Sequence, residues 1–177
     1  MANPDPKQEI INNLTRLLLT RSKSTPTNGK EERQKTLRFL KERHMADRQV
    51  HFVVFEDQKG HSMHFTCYVV KNAKGDWQFR GAEGDGITGT PGPVIEKAWA
   101  NLGGGGMPDH FYAGGYVADH GLDVTHVRLV AKNGTLVEDN VENGIVLFLT
   151  DQIVTLPIEA ELYDRSRQLV YKHRVLG

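Results

Sequence analysis

The stretch HFVVFEDQKGHSMHFTCYVVKNAKGDWQF, residues 51–79, narrows the choice of fold most. Three apolar runs of strand length alternate with two turn-forming segments, in which Gly60 and Gly75 each follow a lysine. Short runs rich in valine, phenylalanine and tyrosine, closed by glycine turns, read as consecutive antiparallel strands. The same signals recur towards the C-terminus. THVRLVAKNGTLVED reads as a hairpin about Asn133–Gly134, a dipeptide favoured in tight turns. GIVLFLTD, VTLPIEAELYDR and QLVYKHRV add three strands, and Pro157 inside the second predicts an edge or a bulge there. The expected class is mainly β (α+β), an antiparallel β-sandwich preceded by one or two N-terminal helices.

The N-terminal part has a different period. Ile10, Ile11, Leu14, Leu17 and Leu18 recur at helical spacing and predict an amphipathic helix over residues 5–19. Asp5 is placed to cap it, Pro6 suits the first helical position, and Gln8 completes a pattern like a capping box. TRSKSTPTNG, residues 20–29, has almost no apolar content and reads as a mobile linker. A second helix is expected from Lys30 to Ala46, with Leu37, Phe39 and Leu40 as its few apolar positions and a charged, solvated remainder. The organisation is thus an N-terminal helical arm, 1–48, and a β body, 49–177. Within the body lie a three-strand meander (49–81), a glycine-rich connection (82–110) that includes a short helix or turn at 93–102, and C-terminal strands (111–177).

NLGGGGMPDHFYAGGYVADHG, residues 101–121, poses the question of phosphate binding. Gly103–Gly106 lack the Gly-Lys-Ser/Thr ending of a phosphate loop. Gly84, Gly86 and Gly89 match G-x-G-x-x-G, but TPGP follows where a helix would have to begin. The glycines are therefore read as architecture: close backbone approach, with a bulge or corner at Gly114–Gly115. An anion-binding nest is the lesser alternative.

WANLGGGGMPDHFYAGGYV, VRLVAKNGTLVEDNVENGIVLFL and AELYDRSRQLV together resemble a group of uncharacterised bacterial β-rich proteins, over residues 60–175. The resemblance implies a bacterial source and a β-sandwich, and transfers no activity, cofactor or catalytic residue. ELYDRSRQLV alone is similar to hairpins of Ig-like accessory domains, which implies an Ig-like C-terminal half.

The chain's 22 basic and 22 acidic side chains balance, which argues against general nucleic-acid binding. Cys67 is the single cysteine, so no intrachain disulfide forms. No secretory signal and no run long enough to span a bilayer is legible, so a cytoplasmic location is expected. Cys67 lies on an apolar strand face and reads as inert core. Glu138, Asp139 and Glu142 lack the spacing of a calcium loop. His61 and His64, three apart on a strand, point to opposite faces.

Symmetric pairing of the two hairpins sets Phe52, Val54, Met63, Phe65, Cys67 and Val69 on one face. It places His51, His64, Tyr68, Trp77 and Phe79 on the other. Two histidines need a third ligand to hold zinc, so no metal and no cofactor is expected. The aromatic group is read as core beneath the N-terminal helices or, alternatively, as a pocket for an apolar ligand with His51 and His64 as its polar groups. That outline resembles cone-shaped proteins of helices and curved sheet that bind small molecules. Two functions follow. The first is a non-enzymatic binding or protein-interaction module, using the N-terminal helix to meet a partner or a second copy in a homo-oligomer. The alternative is a small-ligand protein or enzyme using the histidine and aromatic face.

Overall fold

The computed structural model describes residues 5–21, 36–56, 61–84 and 97–177. The chain divides into two compact units, Met1–Gly89 and Thr90–Gly177. Among the described residues, no helix is long and apolar enough to cross a membrane.

The first unit carries helix α1 (Pro6–Arg21) and strands β1 (Arg38–Met45), β2 (Arg48–Glu56), β3 (Ser62–Lys71) and β4 (Trp77–Glu83). The strands form one antiparallel sheet in the order β1-β2-β3-β4. Asp5 caps α1: its Oδ1 accepts from the Lys7 amide at 3.1 Å, and its carbonyl from the Glu9 amide at 3.0 Å. Gln8 does not close a box; its amide donates to Asn12 Oδ1 at 2.9 Å. Ile10 and Leu14 are fully buried against Val53, Cys67 and Val69 of the sheet. Leu17 stays exposed. Each buried aliphatic side chain stabilises the docked helix by about 1.5–3 kcal/mol. Glu9 Oε1 also accepts from the Phe79 amide at 3.3 Å, which ties α1 to the edge strand β4.

The second helix expected over Lys30–Ala46 is not formed: residues 38–45 are strand β1. Residues 30–35 lie outside the described residues, as does the 22–29 part of the expected linker; residues 20 and 21 still belong to α1. Leu37 and Phe39 pack on the core and Leu40 is exposed, the period of two that a strand produces. Lysine, arginine, glutamate and leucine favour a helix here, but pairing with β2 outweighs that weak preference. Met45 and Arg48 face each other across a two-residue turn, and exposed Ala46 takes φ 47°.

The second unit contains β5 (Trp99–Met107), β6 (His110–Ala118), β7 (Val124–Ala131), β8 (Leu136–Asn140), β9 (Ile145–Thr150), β10 (Ile158–Asp164) and β11 (Leu169–Leu176). They make two antiparallel sheets, β5-β6-β9 and β11-β10-β7-β8. Both sheets feed one core: Leu102, Phe111, Ala113, Val146 and Phe148 from the first, and Val127, Leu129, Ile158, Ala160 and Leu162 from the second. Asp139 of β8 accepts the Leu147 amide of β9 at 2.7 Å, a buried link between the two sheet edges.

Four expectations in this unit need correction. Residues 99–102 are strand, not part of a helix or turn, because Trp99–Met107 pairs along its length with β6. Pro157 precedes β10, which begins at Ile158 and lies between β11 and β7, so no edge forms there, while an irregularity does follow the proline as a register shift against β11 between Ile158 and Glu159. Asn133–Gly134 is not a two-residue turn, since only Gly134 has positive φ (83°) and Ala131 closes on Thr135. That is a three-residue loop ending in a left-handed glycine. Asn143–Gly144 (52° and 73°), between β8 and β9, is a tight turn with two positive φ values, as is His120–Gly121 (47° and 78°).

Gly114–Gly115 forms no bulge, because the β5–β6 register runs unbroken through Gly103–Gly114 and Leu102–Gly115. Close approach is what requires glycine there. A Cβ on Gly115 would collide with the Asn101 carbonyl oxygen.

Candidate functional site

The five residues expected to share one face do not share it. His51 pairs with Cys67, Val53 with Phe65 and Val69 with Phe79, so His51, Trp77 and Phe79 lie on the α1 side. His64 pairs with Val54, and Tyr68 with Val50, on the reverse side. The physical reason is loop parity. Five residues separate Glu56 from Ser62, and five separate Lys71 from Trp77. A register one residue away sends each side chain through the sheet.

On the α1 side, His51 is fully buried. Its Nε2 donates to Gln49 Oε1 at 3.0 Å, and its ring meets Phe39 edge-on at 5.7 Å. Burial pushes its pKa down to about 4, against the pull of Glu42, whose Oε2 lies 3.5 Å from Nδ1. Glu42 in turn is held below its ordinary range by Lys7 at 2.9 Å. Phe79 packs in the same core, with Trp77 beside it under the Lys71 ammonium. On the reverse side His64 stacks on Phe52 at 5.5 Å, and Tyr68 is buried. Cys67 is fully buried, and that burial drives its thiol pKa far up, leaving no reactive thiolate. Among the described residues no three His, Cys, Asp or Glu side chains gather as a metal-ligand set. Gly84 is in place, but the rest of the G-x-G-x-x-G match, 85–89, lies outside the described residues.

Among the described residues, an open concavity lies in the second unit, along β5 and β11. Each of these strands is the outermost of its own sheet. They are joined by Trp99, which stacks on His173 at 3.9 Å, while His173 Nε2 donates to the Ala100 carbonyl at 3.0 Å. Farther along the same two strands lies a cleft of about 540 Å³. Gly104, Gly105 and Gly106 of β5 present backbone instead of side chains to it, and Leu176 of β11 and Gly177 contribute their share. Phe111 and Ile158, both buried, belong to the sandwich core as well as to the cleft. Val154 lines it too, and its rim carries Ile153 (60% exposed) and Leu156 (57%). His110 is the one lining residue with a polar side chain, and its Nδ1 sits 2.9 Å from Asp109 Oδ1.

Sequence reasoning missed this cleft. The glycine run was legible as close backbone packing, but not as a wall without side chains. Val154 and Leu156 of VTLP read as strand, whereas 151–157 is an irregular segment whose Ile153 and Leu156 face solvent. Among protein-family models, curated proteins and solved structures, nothing matches this chain.

Proposed function

We propose that the chain is a non-enzymatic binding module whose C-terminal unit, an Ig-like sandwich, receives a small apolar molecule in the β5–β11 cleft. The carrying observation is the cleft itself: about 540 Å³, aliphatic and glycine-lined, with one polar side chain. Ligand sites typically occupy about 300–1,000 Å³, with mostly apolar walls and few polar groups. The Ig-like reading is supported by seven strands divided three and four between antiparallel sheets, with the chain crossing from one sheet to the other. Of the apolar residues of α1, Ile10 and Leu14 are buried in its own unit, while Leu17 is exposed. His51 is sealed, which removes it from the alternative pocket.

The test is titration with a neutral solvatochromic dye. One saturable site per chain is expected. It should be lost in Val154→Trp, which fills the cleft, and weakened in Leu156→Asp, which places a carboxylate at an already exposed rim. A dye signal unchanged by both variants, each checked for native circular dichroism, refutes the site.

A further inference from the structure

Resting on the reading above, we propose that the cleft selects uncharged molecules with an aliphatic body and rejects the corresponding carboxylates. Charge complementarity sets the preference. A carboxylate taken from water needs a cation or several hydrogen-bond donors to meet it. Among the described residues, no lysine or arginine lines the cleft. The single ionisable lining residue, His110, is already engaged: Asp109 Oδ1 lies 2.9 Å from its Nδ1. Any positive charge on this imidazole therefore meets a resident carboxylate first. A bound fatty carboxylate would add a second negative charge beside Asp109.

Size sets the length of the body. A cavity of roughly 150 Å³ accepts one benzene ring. The cleft, at about 540 Å³, is more than three times larger and open on one side. It suits an aliphatic chain of medium length. The three glycines favour such a thin occupant, because the β5 wall carries no side chain to shape a branched one.

The experiment compares three probes that share one alkyl chain: dodecanol, methyl laurate and laurate. Each is titrated by dye displacement into the full chain at neutral pH, below its critical micelle concentration. Dodecanol and methyl laurate are expected to displace the dye with similar affinity, and laurate at least about tenfold more weakly. Asp109→Asn should raise laurate affinity and leave dodecanol unchanged. His110→Leu should leave the preference for dodecanol over laurate in place. Laurate binding as tightly as dodecanol, or losing affinity in His110→Leu, overturns the charge selection while the ligand-binding reading stands. If no probe displaces a dye that binds at the cleft, this inference fails. If the dye itself finds no site, the ligand-binding reading fails first.

Discussion

Acid should loosen the first unit through His51, and the size of the effect can be worked out. The imidazole is sealed on the α1 side of the sheet, near Phe39 and Gln49, and its pKa falls from 6.5 to about 4. Glu42 and Asp5 favour its protonation, Lys7 and His44 oppose it, and desolvation outweighs them all. Between pH 6.5 and 4 the unfolded chain therefore binds a proton that the folded chain refuses. Stability rises with pH wherever the unfolded state binds more protons. The contribution is thus intact above 6.5 and is lost as pH falls towards 4. At about 1.4 kcal/mol per unit, the full loss is roughly 3 kcal/mol, of which about 2 kcal/mol is gone by about pH 5. Hydrogen exchange of the β2 and β3 amides reads this unit separately from the other. Their protection should fall steeply across the window in the wild type and much less in His51→Phe, whose ring keeps the contact with Phe39. An NMR titration placing the His51 imidazole near 6.5, or equal slopes in the two proteins, would refute the reasoning.

Two further predictions concern backbone geometry. Ala46→Gly should stabilise the first unit by about 0.5–1 kcal/mol in denaturant melts, because exposed Ala46 holds φ 47°, where a Cβ is unfavourable. Gly115→Ala should destabilise the second unit by about 1–3 kcal/mol or more, since its Cβ would collide with the Asn101 carbonyl. Gly121→Ala is the control in thermal melts: no atom lies within 4 Å of its Cβ, and only the cost of φ 78° remains, about 1 kcal/mol.

Strand content and the N-terminal helix were legible because both are local. Alternating apolar runs require a strand whatever they pair with, and Ile10 and Leu14 lie on one helix face by spacing alone. β1 was not legible. RFLKERHM is made of helix formers, and the signal against a helix was the pair Leu37 and Phe39, two apart. Two of the three Asn-Gly dipeptides, Asn133–Gly134 and Asn143–Gly144, show the same boundary. Both mark turns, but only Asn143–Gly144 takes the two positive φ values, because Gly134 belongs to a loop one residue longer.

The site was harder for a stronger reason. Whether His51 and His64 face each other turns on one bit, the parity of the loop between Glu56 and Ser62, and a DQKG turn fits an even or an odd count. The cleft has no local signature at all. Its walls come from Gly104–Phe111, Ile153–Ile158 and Leu176–Gly177, which meet only because β5 and β11 end their respective sheets side by side. Glycine in a strand ordinarily weakens it. Here, Gly115 is required by the nearness of the Asn101 backbone, whereas the Cβ position of Gly105 is nearest the Tyr112 ring, 3.1 Å from the hydroxyl. Only the first is demanded by the β5–β6 pairing. The same demand falls on Gly104 of the cleft, whose Cβ would collide with the Tyr112 carbonyl and Ala113, so part of the wall without side chains is imposed by the strand pairing itself.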